Sequence, residues 1–197
     1  MVSAPSGVGK TTIIQAILPR WPQLRYSVSS TTRLPRSGER NGKDYHFLTR
    51  EEFREGIRAG RFVEWAEVHG EYYGTDGEQL ESWLAVQNDV LLDIDVQGAR
   101  LVRTAYAEAR TIFILPPSLD VLAERLKKRG TESPEQLARR LAAAMSEIHE
   151  AVWYEFIIVN AALEEAIADM DAILRASRCE RPQQNRRLRH YLLPMVQ

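Results

Sequence analysis

The chain has 197 residues and carries 26 lysines and arginines against 27 aspartates and glutamates, a net charge of −1 that leaves no general electrostatic footprint for nucleic acid. That length can bury a sizeable core in one compact domain with appendages, and the 44% hydrophobic content argues against disorder. The single cysteine, Cys179, excludes an internal disulfide and a cysteine-based metal cluster, and no apolar run approaches the length of a membrane span, so a cytoplasmic protein without a membrane partner is expected.

At the N-terminus, Met1-Val2-Ser3 precede the run Ala4-Pro5-Ser6-Gly7-Val8-Gly9-Lys10-Thr11-Thr12. Its small residues let the backbone curl until several N–H groups point at one anion, and a helix starting at Gly9-Lys10 adds the positive end of its dipole. Lys10 supplies a point charge for the outer phosphates of a nucleotide, and the Thr11 hydroxyl is placed to ligate Mg2+. This kind of phosphate-binding loop generally opens on glycine; Ala4 stands there and is accommodated if its φ stays negative. A full strand needs about five residues. The strand leading into the loop is therefore expected to be a stub, either because it begins late or because a few residues are missing from its start.

Residues 27–78 differ in character: they are rich in Ser, Thr, Arg, Gly and Tyr, with Gly38, Gly42, Gly70 and Gly74 at turn positions, as in an inserted substrate-binding subdomain. Arg33 and Arg36 lie three residues apart, close enough for two guanidinium forks to grip one phosphate dianion, and the hydroxyls of Tyr45 and Tyr73 can add neutral donors. Thr49 with Glu52 forms a capping box that opens a helix. Further on, residues 90–95, 111–115 and 156–159 are apolar runs that read as strands buried on both faces. They alternate with amphipathic helices, the pattern of an α/β sandwich around a parallel sheet. Asp93 and Asp95, at i and i+2, are expected to share one face of a strand end and reach the same cleft.

Ser118 is an N-cap for a helix over residues 119–129, and Ser133-Pro134 with Gln136 opens the next. This stretch is basic at Arg125, Lys127, Lys128 and Arg129 and broken at Gly130, as expected of a lid beside a phosphate site. Arg125 and Arg129, four apart, stack on one helical face. Arg139 is expected to point away from its neighbour Arg140. The histidines His46, His69, His149 and His190 show no ligand spacing. Arg175, Arg178, Arg181, Arg186, Arg187 and Arg189, offset by Glu180, read as a basic, solvated helix end with room for a packing role in a homo-oligomer, in preference to an RNA-binding surface.

Ser27-Val28-Ser29-Ser30-Thr31-Thr32-Arg33, Pro35-Arg36, Gly42-Lys43-Asp44-Tyr45-His46-Phe47, Glu64-Trp65-Ala66, Tyr72-Tyr73-Gly74-Thr75, Asp93-Ile94-Asp95-Val96-Gln97-Gly98 and Arg129-Gly130-Thr131 together resemble the guanylate kinase family in order and spacing. The match runs from the phosphate loop to Ile157-Ile158-Val159-Asn160. The resemblance implies a three-layer α/β P-loop kinase fold with a parallel central sheet. Its core would be residues 1–26, 79–118 and 151–197, with a GMP-binding subdomain at 27–78 and a helical lid at 119–150.

It also implies ATP-dependent, Mg2+-assisted phosphorylation of GMP to GDP, with dGMP left open as a second acceptor and no nucleic-acid partner. Residues 4–12 would hold ATP, with Asn160 near the adenine, although Ala161 stands where the family often has aspartate. Ser29, Arg33, Arg36, Tyr45, Glu64, Tyr73, Thr75, Asp93 and Asp95 would hold GMP, the Glu64 carboxylate accepting from guanine N1–H and N2–H. Lys10, Arg33, Arg125, Arg129 and Arg140 would act on the transferring phosphoryl group. Thr11 would ligate Mg2+, with Asp93 reaching it through water. Glu67 is off the family position, and Gln97-Gly98 receive no catalytic role. Two other readings stand beside this one: a kinase for another small phosphate ester, and a peptide-binding scaffold of the same fold that has lost catalysis.

Overall fold

A computed structural model of the chain describes residues 1–68, 70–128 and 134–180. The first elements are β1 (Val2–Ser3), α1 (Lys10–Ile17), β2 (Leu24–Ser27), β3 (Ser30–Thr31), β4 (His46–Phe47), α2 (Arg50–Arg58), β5 (Phe62–Val68) and β6 (Glu71–Asp76). They are followed by α3 (Gly77–Ala85), β7 (Asp89–Leu92), α4 (Val96–Ala105), β8 (Ile112–Leu115), α5 (Leu119–Lys128), α6 (Pro134–His149), β9 (Phe156–Val159) and α7 (Leu163–Cys179).

β1, β8 and β9 pair in parallel, as do β2 and β7, and a bridge between Val2 and Asp93 joins the two groups in the order β2-β7-β1-β8-β9. β8 shows why helices cover both faces. Its side chains alternate, Ile112 and Ile114 entering one core cluster and Phe113 the other. The first cluster gathers Ile13, Ile14 and Ile17 of α1 with Ile167 and Met170 of α7; the second gathers Leu80 of α3 with Ala99 and Val102 of α4. This is the three-layer α/β arrangement.

β9 departs from the reading of its run as buried on both faces. Among the described residues it is an edge strand, in which Ile158 is fully buried while Ile157 and Val159 are 44% and 47% exposed. Only one face of it packs on α7 within the first cluster. β1 is two residues long, the stub that the sequence implies. A cavity of about 310 Å³ opens beside it, lined among others by Met1, Val90, Leu92 and Ile112. The Met1 ammonium donates to the Arg110 carbonyl at 2.7 Å. Burial lowers its pKa to about 6 even though Glu155 pulls the other way.

The inserted segment forms its own sheet, β4-β3-β6-β5, with β6 antiparallel to both β3 and β5. α2 closes it from one side: Thr49 and Glu52 form the expected capping box, and Phe53 stacks on Phe62 and Tyr72 at 4.3 and 5.4 Å between ring centroids. Gly74, expected at a turn, lies inside β6, where glycine is needed because a Cβ would stand 3.0 Å from the Phe53 ring and 3.1 Å from the Glu64 carbonyl. The inner face of α5 is part of the main core, with Leu122 and Leu126 fully buried. Ser118 caps α5, its Oγ accepting from the Val121 N–H at 3.2 Å.

Candidate active site

A cleft of about 680 Å³ runs between the phosphate loop, the inserted sheet and α6. On the loop side, Ala4, Pro5, Ser6, Gly7, Gly9, Lys10 and Thr11 line it. Gly7 and Gly9 have φ of 89° and 101°, the left-handed region that favours glycine, and Gly9 caps α1. Among the described non-glycine residues only Gln87 has positive φ, so Ala4 fits the first loop position without strain. Val8 turns its side chain into the core, and Thr12 is exposed outside the cleft lining.

The loop is buttressed from behind. A Cβ on Gly7 would stand 2.8 Å from Leu126 Cδ2 of α5, and one on Gly9 2.7 Å from Asn160 Nδ2. Asn160 is 5% exposed and donates from Nδ2 to the Val8 carbonyl at 2.7 Å. Arg125 donates to the same carbonyl at 3.2 Å and to the Asn160 carbonyl at 3.1 Å. Arg125 is therefore engaged with loop backbone and is not among the cleft-lining residues. Arg129, its expected partner, lies outside the described residues, as do Ser133 and the arginines beyond residue 180.

Lys10 Nζ lies 2.5 Å from Asp93 Oδ1 and 3.4 Å from the Ile94 carbonyl. Burial by itself would lower the Lys10 pKa, but the paired Asp93 carboxylate outweighs it and the pKa is raised. Tyr26 donates to the other Asp93 oxygen at 3.4 Å. Asp93 and Asp95 both line the cleft, but Asp95 is not on the strand. It is the N-cap of α4, where its Oδ1 accepts the Gly98 N–H at 2.8 Å.

Across the cleft from the loop, alternation along β5 turns Glu64 inward, 5% exposed, while Trp65 faces out. Thr75, its cross-strand neighbour on β6, donates to Glu64 Oε1 at 2.5 Å. Burial pushes the Glu64 carboxyl up to about 7; the Thr75 hydroxyl opposes this and the charge of Asp95 adds to it. Gly98 belongs to this site by having no side chain, since a Cβ would stand 2.6 Å from Glu64 Oε2. The glycine in Asp95-Val96-Gln97-Gly98 was the signal for it.

Ser29, Arg36, Tyr45 and Tyr73 line the same cleft. Arg33 does not; it lies over the rings of Tyr45 and Phe47 at 5.3 and 5.9 Å and pairs with Glu39 at 2.9 Å. Glu39 also accepts the Arg36 backbone N–H at 2.7 Å, so one carboxylate organises the loop that carries both arginines. Sequence reasoning passed over Glu39, an acidic residue closing the turn Arg36-Ser37-Gly38-Glu39.

α6 closes the cleft with Arg140, Ala143, Ala144 and Glu147 on one face, spaced at three and four residues. Arg140 donates to Ser6 Oγ at 2.8 Å. Arg139, expected to point elsewhere, lines the cleft as well. Two adjacent residues lie 100° apart around a helix, so both can border an opening this wide. Glu147, also missed, has its carboxyl pushed up to about 6 by burial, with Lys10 opposing the shift and Asp95 adding to it.

The family profile described as guanylate kinase matches residues 1–177. The chain is 49% identical over 178 residues to a protein named guanylate kinase from Symbiobacterium thermophilum, covering 90% of this chain and 84% of that protein. It is 50% identical over 184 residues to a guanylate kinase from Neisseria gonorrhoeae, covering 93% and 90%. Its fold is similar to the crystal structure of guanylate kinase from Anaplasma phagocytophilum, with a TM-score of 0.75 at 35% identity, covering 91% of this chain and 85% of that one.

Proposed function

The chain belongs to the guanylate kinase family and is an enzyme that phosphorylates GMP to GDP with ATP, and from that premise we propose how its residues divide the work. Residues 4–12 cradle the phosphates of ATP, with Lys10 reaching the β- and γ-phosphates after leaving Asp93. Residues 27–78 are the GMP-binding part. Residues 119–150 are the lid, of which α6 carries the cleft-facing side and α5 the buried base. Residues 1–26, 79–118 and 151–197 form the core that holds them.

Glu64 accepts guanine N1–H and N2–H, Thr75 and Ser29 complete the base pocket, and Asp95 takes a further amino hydrogen. Arg36, Tyr45 and Tyr73 grip the GMP phosphate, with Arg33 joining them from its place beside Tyr45. The Thr11 hydroxyl and, through water, the Asp93 carboxylate are hard oxygen donors lining one cleft, a set that suits Mg2+. Bound with ATP, Mg2+ neutralises charge on the phosphates. A GMP phosphate oxygen attacks the γ-phosphorus, the bond to the ADP oxygen breaks, and no covalent intermediate with the protein forms. Arg140, and Arg129 with it, offset the charge that spreads over the transferring group. The reaction is placed in the cytoplasm, with dGMP as a further acceptor and a homo-oligomer compatible with the basic end of α7.

The observation that carries the acceptor assignment is the buried Glu64, bonded to Thr75 behind it, on the wall of the cleft that the loop over residues 4–11 also lines. A coupled assay of ADP release with GMP, AMP, CMP and UMP tests it. Turnover is expected with GMP far above the others. A folded protein that turned over none of the four would favour the scaffold reading, and preference for another acceptor would remove the guanine assignment.

A further inference from the structure

The rear of the phosphate loop carries an arrangement that the loop motif itself does not require. Val8 is fully buried, and its carbonyl accepts from two side chains, Asn160 Nδ2 at 2.7 Å and Arg125 Nη1 at 3.2 Å. Arg125 Nη2 also donates to the Asn160 carbonyl at 3.1 Å, so the loop, α5 and the residue after β9 close one ring of contacts. Asn160 is in turn fixed to the central sheet by its N–H, which donates to the Leu115 carbonyl at 2.8 Å. A trans peptide unit is planar, with its C=O and N–H pointing in opposite directions. The Val8 carbonyl and the Gly9 N–H belong to one such unit, and no cis peptide is present among the described residues. Pinning the carbonyl rearward aims the Gly9 N–H forward into the cleft. Asn160 Nδ2 also packs close behind Gly9, 2.7 Å from where a Cβ would stand.

We propose that Asn160 and Arg125 are positioning residues for the donor nucleotide: they lock the Val8–Gly9 peptide plane so that its N–H faces the phosphate chain, whatever base that chain carries. The inference rests on the reading of residues 4–12 as the triphosphate cradle. It gives Asn160 a task other than contact with adenine, and Arg125 a task other than contact with the transferring phosphoryl group. Because both donors serve one buried carbonyl, either alone retains part of the hold and their joint loss releases the plane.

Inorganic tripolyphosphate, which has the phosphates and no base, separates the possibilities. Its dissociation constant and those of ATP and GMP are measured for the wild-type chain, Asn160→Ala, Arg125→Lys and the double variant, with the melting temperature of each. Each single variant is expected to weaken ATP and tripolyphosphate by the same factor, roughly tenfold for a buried polar contact, and the double variant by more than the product of the two. GMP affinity is expected to stay at its wild-type value. A loss for ATP with unchanged tripolyphosphate would give Asn160 to the adenine and overturn the proposal; an equal loss for GMP would overturn it in favour of general destabilisation. Tripolyphosphate and ATP both failing to bind the wild-type chain would bring down the cradle reading itself, and the peptide-plane role with it.

Discussion

The donor side of the cleft presents backbone, and side chains behind it hold that backbone in shape; the acceptor side presents side chains, and a small antiparallel sheet holds them. Seven of the residues from 4 to 11 line the cleft from one stretch of chain, small side chains with one lysine. In the proposed reading their N–H groups meet phosphate and are indifferent to the base. The acceptor side collects Ser29, Arg36, Tyr45, Glu64 and Tyr73 from separate strands and loops and buries a carboxylate that would otherwise be hydrated. Burying that carboxylate costs stability. In the proposed reading it is what distinguishes guanine from adenine, which puts selectivity on this side and generic phosphate chemistry on the other.

The largest effect is expected where the two sides differ most. Guanine offers the Glu64 carboxylate two donors, whereas adenine would leave it buried and unpaired, a mismatch that sites of this kind reject by roughly 10⁴-fold. The wild-type enzyme is therefore expected to prefer GMP to AMP by about that factor in kcat/KM. Glu64→Ala should remove most GMP activity while AMP activity holds or rises slightly, since Arg36, Tyr45 and Tyr73 still grip the phosphate. Measuring kcat/KM for both acceptors in both proteins decides it. An unchanged GMP/AMP ratio in Glu64→Ala would put base recognition elsewhere.

On the donor side a single charge is at stake. Lys10→Ala should lower turnover by about 100-fold or more, in line with removal of one preorganised electrostatic donor, and leave GMP binding without ATP nearly unchanged. Near-normal turnover would mean that the loop is not the phosphate cradle. A parallel loss of GMP affinity would mean that the Lys10–Asp93 pair, 2.5 Å apart, is structural for the acceptor side and that the two sides are not separable.

α6, in the proposed reading part of the lid, follows the cleft: Arg140 touches Ser6 of the loop, and Glu147, two turns further along the same face, lines the cleft as well. Arg140→Ala should reduce kcat by about tenfold with a smaller change in GMP affinity, the pattern of an interaction made in the transition state. Arg139→Ala should cost about two- to threefold, because Arg139 borders the cleft from an exposed position. Equal losses at both positions would reduce the lid to a general charge effect.

How much of this was legible follows the same division. The shape of the N-terminal loop was partly legible because part of it is local: Gly7 and Gly9 take the left-handed φ that the glycines allow, and α1 begins at Lys10, whereas the buttress from Asn160 and Arg125 had no local signal. β7, β8 and α2 were readable from apolar runs and a capping box for the same reason. What failed to show was what depends on tertiary placement. The exposure of Ile157 and Val159 is set by β9 being an edge, which no run of apolar residues announces. The engagement of Arg125 with Val8 depends on α5 packing under Gly7, and Gly98 matters through an atom it lacks. Glu39 and Glu147 sit in charged stretches that look like solvated surface until the fold turns them toward a partner or a cleft. The grouping of Ser29, Arg36, Tyr45, Glu64 and Tyr73 around one cleft came only from the motif match, because residues drawn from different strands carry no local signature of belonging together.

The smallest expected effect concerns stability and not turnover, and it sharpens the claim that the acceptor side holds its carboxylate at a cost. The Glu64 carboxyl, near 7 in the folded chain, has an ordinary value of 4.5. Between those two pH values the folded state keeps a proton that the unfolded state releases, so stability falls as pH rises through that window and levels off above it. A difference of that size corresponds to about 3 kcal/mol at most. Glu64→Gln keeps an oxygen for the Thr75 hydroxyl and carries no charge at any pH. It should therefore melt a few degrees above the wild-type chain at pH 8, roughly 5 °C for a protein of this size, with the gap closing toward pH 5. Saturating GMP should narrow the gap at pH 8, because guanine pairs the charged carboxylate of the wild-type chain and offers the amide a mismatched edge. A melting difference that stayed constant from pH 5 to 8 would show that the Glu64 charge is not held against its preference, and the contrast between the two sides of the cleft would lose its energetic half.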